Sequence, residues 1–280
     1  MSRAPATRTE RQEHEAEVYD ARASALGGTL CDEDLVVDSA RPPYPNREHV
    51  AFLDFVFGRI GDLAGKRILE VGCGSGNLST YHALRGARAV GVDVSAGMLE
   101  LARRRAEVNG VSDRVELIAQ PIEDLDEPDG SFDVVMANQV LHHLDLPRAM
   151  PNISRLVGTG GMALFVEPVL FVPEAVRRVR YSRPVTKLFP SRADTPDERS
   201  VNAADLALIR SSFDEADVLP FQLTTRLQNF VELSDAAFGR LERIDARVHR
   251  HVPGSWRLAR YVVLVLTNTT QADLPKDVTR

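Results

Sequence analysis

The amino-acid sequence predicts an α/β fold: a doubly wound, seven-stranded, mostly parallel sheet with helical lid insertions. Three observations predict it. An apolar strand in ILEVGCGSGN, residues 68–77, runs directly into three alternate glycines, Gly72, Gly74 and Gly76. The next apolar run ends in Asp93, about 20 residues further on, and an amphipathic segment follows it. Seven strand-like segments can be marked along the chain, and the first five alternate with helical periodicity.

A strand that stops in glycines lets the main chain turn with positive φ and lets a ligand lie against bare backbone, where a Cβ would collide. That describes a nucleotide cradle. A dinucleotide fingerprint would continue as G-x-G-x-x-G, but position 77 is Asn. Glu70, inside the strand, suits a ligand carrying an amine and a sulfonium better than a pyrophosphate. The second segment, ARAVGVDVSAGMLELARRRAEVNG at 87–110, reads as a buried strand followed by a helix with Ser95 as N-cap. Met98, Leu101, Ala102 and Val108 form its apolar face, and Asn109-Gly110 closes it. Asp93 then projects from the carboxyl end of a strand, where a doubly wound sheet presents an acid to ribose hydroxyls.

A third strand and loop are read in VELIAQPIEDL, 115–125, and a fourth in FDVVMANQVLHHL, 132–144. In 147–168 a helix is expected to end in Gly158 to Gly161, before a fifth strand ending at Glu167-Pro168. ADVLPFQLTT, 216–225, and RYVVLVLTN, 260–268, complete the sheet as an antiparallel pair at one edge.

The glycine tract resembles the first motif of the class I S-adenosylmethionine-dependent methyltransferases, a Rossmann-like family. PDGSFDVVMANQVLHHL resembles the stretch that carries that family's fourth strand. The resemblance is firm over roughly 60–168. It implies S-adenosyl-L-methionine as cofactor, with its methionine part against Gly72, Gly74 and Gly76 beside Glu70. Asp93 would take the ribose, Val94 and Met98 would pack on one side of the adenine, and Ile122 and Glu123 would border the ring. The Asn138 carbonyl would meet the cofactor amine. Many relatives carry an acid where this chain has Pro121, which leaves the adenine loop without that side-chain acceptor. Tyr19, in the helical TERQEHEAEVYDARA, resembles the aromatic that closes over the cofactor in many relatives, and reads equally well as a surface-helix tyrosine.

The organisation expected is an N-terminal helical cap over 1–50 and an S-adenosylmethionine-binding core over 51–168. A lid insertion over 169–203 follows, and 204–280 completes the sheet with a helical insertion at 227–257. Insertions beyond the carboxyl ends of the strands can fold over a methyl acceptor. Where that acceptor carries a proton, His142 and His143, just past the fourth strand, are the candidate bases, with Glu167 as the second candidate. Transfer to O or N of a small molecule is expected ahead of transfer to C, in bacterial specialised metabolism. Two other readings stand beside it. A nicotinamide oxidoreductase would want Gly at 77 and no acid at 70. A protein that binds S-adenosylmethionine without methyl transfer would lack the acceptor-side groups that are present here.

Composition narrows the partners. A net charge of −6 lacks the basic footprint a nucleic-acid substrate requires. Arg177, Arg178, Arg180, Arg183 and Lys187 form a local exception, read as a solvated helix face ahead of an anion site; Arg103, Arg104 and Arg105 are read as solvated too. No apolar run is long enough for a bilayer and the opening residues lack a signal-peptide core, so no membrane partner and a cytoplasmic location are expected. Only Cys31 and Cys73 are present, which argues against a disulfide framework, and Cys73 is read as a small residue at a crowded turn. No ligand cluster of recognisable spacing appears, so metal-independent chemistry is expected. The sequence is compatible with a homodimer.

Overall fold

The computed structural model describes residues 8–43, 49–169, 201–229 and 231–268. The expected basic cluster at 177–187 and most of the 169–203 insertion lie outside the described residues.

The sheet has seven strands: β1 Arg67–Val71, β2 Arg88–Asp93, β3 Val115–Ala119, β4 Phe132–Asn138, β5 Val157–Pro168, β6 Glu215–Phe221 and β7 Tyr261–Thr267. Their order is β3-β2-β1-β4-β5-β7-β6. Strands β1 to β5 pair in parallel, and β7 runs antiparallel to both β5 and β6. The C-terminal pair therefore lies at one edge as expected, with β7 inserted between β5 and β6. YVVLVLT is buried from Tyr261 to Leu266 because β7 has a strand on each side. β6 takes the edge, where Pro220 is tolerated.

Strand alternation divides the core into two layers. Leu69, Val71, Val90 and Val92 face a cluster with α5 (Leu146–Leu156) and α6 (Ala203–Ser211), through Met150, Ile153, Leu206 and Ile209. Ile68, Val134, Met136, Val263 and Val265 face the other layer, with Phe52, Leu53 and Val56 of α2 (Val50–Ile60) and Leu78 and Tyr81 of α3 (Asn77–Leu84). The helix α4 (Ala96–Val108) lies against β2, β3 and α3, and α1 (Glu10–Gly27) packs on α4.

Several expectations are corrected. The helix before β5 ends at Leu156, not in glycines: Gly158 and Gly161 belong to the strand. A Cβ at Gly158 would lie 2.8 Å from Gly130 O, and one at Gly161 2.8 Å from Asp133 O, so these glycines admit close strand packing. The arginine triplet is not uniformly solvated. Arg103 pairs with Glu100 and Arg104 with Asp32, but Arg105 is buried and donates to Asn77 Oδ1. Asn77, the residue that departs from a dinucleotide fingerprint, thus ties the start of α3 to α4. The helix α7 (Asp235–His251) precedes β7, and its Asp245 accepts from the backbone of Leu223, Thr224 and Thr225.

One buried group sets an acid limit on stability. His82 in α3 is fully buried between Phe57 and Tyr81, and neither ring nitrogen has a hydrogen-bond partner among the described residues. Burial pushes it down to about 3 from an ordinary value near 6.5. The unfolded chain therefore binds the proton first, and stability falls as pH drops from about 6.5 towards 3. At pH 5 the loss is on the order of 2 kcal/mol. His82→Leu is expected to remove that slope, read as a urea midpoint that changes much less between pH 7.5 and pH 5 than in the parent protein.

Candidate functional site

In the strand order, β2 and β3 lie to one side of β1 and β4 to the other, so the crevice of a doubly wound sheet opens beyond the carboxyl ends of β1 and β4. A cavity of about 360 Å³ lies there. Its floor is the turn after β1, and the ends of β2 and β4 and the loop after β3 form its sides. The helix α1 closes it.

The three glycines do different work. All have left-handed φ, 65° at Gly72, 50° at Gly74 and 74° at Gly76. A Cβ at Gly72 would strike Val140 at 2.6 Å, and one at Gly76 would strike Ala102 of α4 at 2.7 Å. A Cβ at Gly74 would meet nothing within 4 Å, because Gly74 faces the cavity. Cys73, buried beside them, sits where a Cβ on Gly91 would meet its Sγ at 2.8 Å, in keeping with a small side chain at a crowded turn.

Asp93 lines the cavity and holds the turn. Its Oδ2 accepts from Gly74 N at 2.8 Å and its Oδ1 from Ser95 N at 2.9 Å. Burial pushes the carboxyl above its usual range, against the pull of the backbone donors of Ser95, Gly74 and Val94. Val94, Met98, Ile122 and Glu123 also line the wall, with Pro121 and Gln120. Glu123 Oε1 accepts from Asp145 N at 3.0 Å, and burial raises its carboxyl above the usual range. Asn138 is in the wall, and its buried Oδ1 has no partner among the described residues. Tyr19 and His143 complete the expected set within the cavity.

Four expected residues lie elsewhere. Glu70 alternates to the far face of β1, where Ser79 Oγ donates to its Oε2, and burial raises it to about 8. It supplies neither a wall contact nor, at neutral pH, a full charge. Gly76 packs α3 on α4 and does not line the cavity. Glu167, fully buried, accepts from Val140 N at 2.7 Å and Leu141 N at 2.6 Å through Oε1, and its Oε2 lies 2.8 Å from His142 Nδ1. The Glu167–His142 pair thus shapes the loop after β4 from behind, and only His143 of the three acid–base candidates reaches the wall.

Beside Tyr19, the helix α1 contributes Gln12, Glu15, Arg22 and Leu26, which carried no signal in the sequence; the five lie on one helical face at steps of three and four. Most of that face is polar because it borders a cavity, so no apolar stripe announces it. Gln139, at φ 59°, turns the chain after β4 and donates through its N–H to Val166 O at 2.7 Å. Among the described residues, none from 231–257 lines the cavity.

The seat of α1 is fixed at two points, near its start and past its middle. Arg11 Nη2 donates to His142 O at 2.8 Å. Asp20 Oδ1 accepts from Ser95 Oγ at 2.6 Å and Gly97 N at 2.8 Å, capping α4 from a different helix, and these bonds hold its carboxyl below the usual range. Asp20→Ala is expected to cost about 1 kcal/mol of α1 docking. Faster amide exchange confined mainly to residues 10–27 would show it; unchanged exchange there would remove Asp20 from this role.

Against this geometry stand the comparisons with known proteins. The family described as "Methyltransferase domain" matches residues 69–165. A ubiquinone biosynthesis O-methyltransferase of Neisseria meningitidis serogroup A / serotype 4A is 41% identical over 116 residues, 40% of this chain and 48% of that protein. The chain thus spans about half the length of the curated relatives it matches. Among solved structures, geranyl diphosphate C-methyltransferase from Streptomyces coelicolor A3(2) aligns with a TM-score of 0.59 at 18% identity, over 95% of this chain and 100% of that one. The cyclase SpnF aligns with a TM-score of 0.60 at 22% identity, over 96% and 100%. At such identities the likeness shows a shared fold. No helix among the described residues is long and apolar enough to cross a membrane.

Proposed function

We propose that residues 69–165 form a class I S-adenosylmethionine-dependent methyltransferase domain and that the protein transfers the methyl group of S-adenosylmethionine to an oxygen or nitrogen, less favourably a carbon, of a small molecule. The observation that carries this reading is one cavity shared by a bare glycine turn, an acid at the end of β2 and a histidine paired to a carboxylate.

The residues present fit the cofactor. Gly74 leaves open the space that a Cβ would fill, and Asn138 Oδ1 is a buried acceptor without a donor among the described residues, suited to an ammonium. Asp93, whose Oδ2 accepts from Gly74 N and Oδ1 from Ser95 N, retains lone pairs for a diol. Met98, Ile122 and Val94 offer apolar surface to a flat ring. When bound, S-adenosylmethionine supplies a methyl carbon on a cationic sulfur. The protein must align an acceptor lone pair with it, and orientation of that kind can remove about 7–11 kcal/mol of a barrier.

For a hydroxyl acceptor, His143 would take the O–H proton as the oxygen's lone pair meets the methyl carbon that S-adenosylmethionine would supply, leaving neutral S-adenosylhomocysteine as the by-product. A base in the wall favours O- or N-transfer over C-transfer, and the O-methyltransferase names of the sequence relatives agree in direction. We further place the protein in the cytoplasm and in bacterial specialised metabolism. The first rests on two free cysteines, and the second on the resemblance of EPVLFVPEAV, 167–176, and ADTPDERSVNAADLALI, 193–209, to a set of bacterial small-molecule methyltransferases.

Calorimetry with S-adenosylhomocysteine, then mass spectrometry of a panel of phenols and catechols incubated with S-adenosylmethionine, tests the proposal. Binding is expected, with one S-adenosylhomocysteine formed per acceptor methylated. Absence of binding would overturn it. Binding without transfer to any of the panel would favour a catalyst of another rearrangement on the same fold, as the likeness to a cyclase structure allows.

A further inference from the structure

We propose that Gln120 is the residue by which the protein reads the purine of its cofactor: its side-chain oxygen accepts from the exocyclic amine of adenine, in a loop where Pro121 offers no acceptor. The proposal deepens the reading above and rests on it for the identity of the ligand.

Gln120 follows the last residue of β3 and lines the cavity with Val94, Met98, Pro121 and Ile122, the apolar surface suited to a flat ring. Its Nε2 meets the Asp124 carbonyl oxygen at 3.4 Å. A carbonyl oxygen only accepts, so the nitrogen end of the amide is the one that faces Asp124. The opposite end, Oε1, has no hydrogen-bond partner among the described residues. A carboxamide anchored by its donor, with its acceptor left to the cavity, selects a ligand edge that donates. Adenine presents such an edge through its amino group, whereas hypoxanthine presents a carbonyl oxygen at the same place.

The anchor is held firmly. Asp124 ends the short 3-10 turn Ile122–Asp124, and its N–H donates to Pro121 O at 3.1 Å. From α5, Arg148 Nη2 donates to Asp124 Oδ1 at 2.9 Å and Asn152 Nδ2 donates to Ile122 O at 2.6 Å. To offer its nitrogen to the cavity, the Gln120 amide would have to turn its oxygen against the Asp124 carbonyl, setting two acceptors face to face. The loop thus resists the flip that would let a glutamine read either base. Glu123, the other polar side chain that this loop places in the wall, has its Oε1 engaged by Asp145 N at 3.0 Å.

Calorimetry on the full chain tests this with two ligands, S-adenosylhomocysteine and S-inosylhomocysteine, in which an oxygen replaces the amine and N1 carries a hydrogen. The parent protein is expected to favour the adenine ligand by at least about tenfold, because the hypoxanthine oxygen would face Oε1. In Gln120→Leu that ratio should fall towards parity, mainly through weaker binding of S-adenosylhomocysteine. Gln120→Ala gives the same reading if the leucine variant does not fold. Gln120→Glu keeps an acceptor for the amine and should hold the parent's ratio, a rescue that a glutamine needed only for packing would not show. Equal affinity of the parent for the two ligands, a ratio unmoved by the apolar variants, or a glutamate variant that loses the ratio as leucine does would overturn the proposal and leave the transferase reading in place. A parent with no affinity for either ligand would instead sink that reading, and this proposal with it.

Discussion

Gly74→Val is expected to lose measurable S-adenosylhomocysteine binding, at least a hundredfold in affinity (about 2.7 kcal/mol), with the fold intact. The position separates the two effects because of where its Cβ would go. At Gly76 the new atom would collide with Ala102 of α4, and at Gly72 with Val140, so substitutions there confound binding with packing. At Gly74 no protein atom lies within 4 Å, and the valine branches would occupy the cavity itself. The cost to the free protein is the left-handed backbone at φ 50°, on the order of 1–2 kcal/mol for a residue with a Cβ. That corresponds to a fall of a few degrees in melting temperature. Retained affinity in calorimetry would contradict the cradle.

Asp93→Ala is expected to weaken S-adenosylhomocysteine binding by on the order of 2–4 kcal/mol, about thirty- to a thousandfold. The structure adds a second reason to the one legible in the sequence. Besides losing acceptors for a ribose diol, the variant frees the N–H groups of Gly74 and Ser95, so the turn that shapes the cradle loses its anchor. Asp93→Asn distinguishes the contributions. Its oxygen can still accept from one N–H while its NH2 opposes the other, so it should fall between the parent and alanine if anchoring matters. An alanine variant with the parent's dissociation constant would remove Asp93 from the site.

Much of the scaffold was readable because its signals are local. A continuous apolar run in YVVLVLT states that a strand is covered on both faces, and glycines at 72, 74 and 76 state a turn with positive φ. Ser95 was readable as the cap of α4, and its Oγ accepts from Met98 N at 3.0 Å. Where the reading failed, it treated a residue's type as its destination. Glu70 carries the charge a sulfonium would favour, but the pleat turns it to the opposite face from Val71, towards Ser79. Arg105 looks like its two neighbours, yet helical rotation points it inward to Asn77. His142 and His143 are adjacent in sequence and equivalent by type; the loop after β4 sends one to Glu167 and the other to the cavity.

By itself, then, the sequence determined the sheet, the glycine turn and the acid that faces it, because each follows from periodicity or from conformational preference within a few residues. Only the tertiary structure decided which histidine meets the cavity and that Glu15, 128 positions away, is its partner. Nor could the sequence show that Asp20 caps a helix 75 residues distant. Such pairs depend on how α1 settles on α4 and the loop after β4, a sum of many weak contacts between surfaces with no shared local pattern, and no stretch of chain carries that sum.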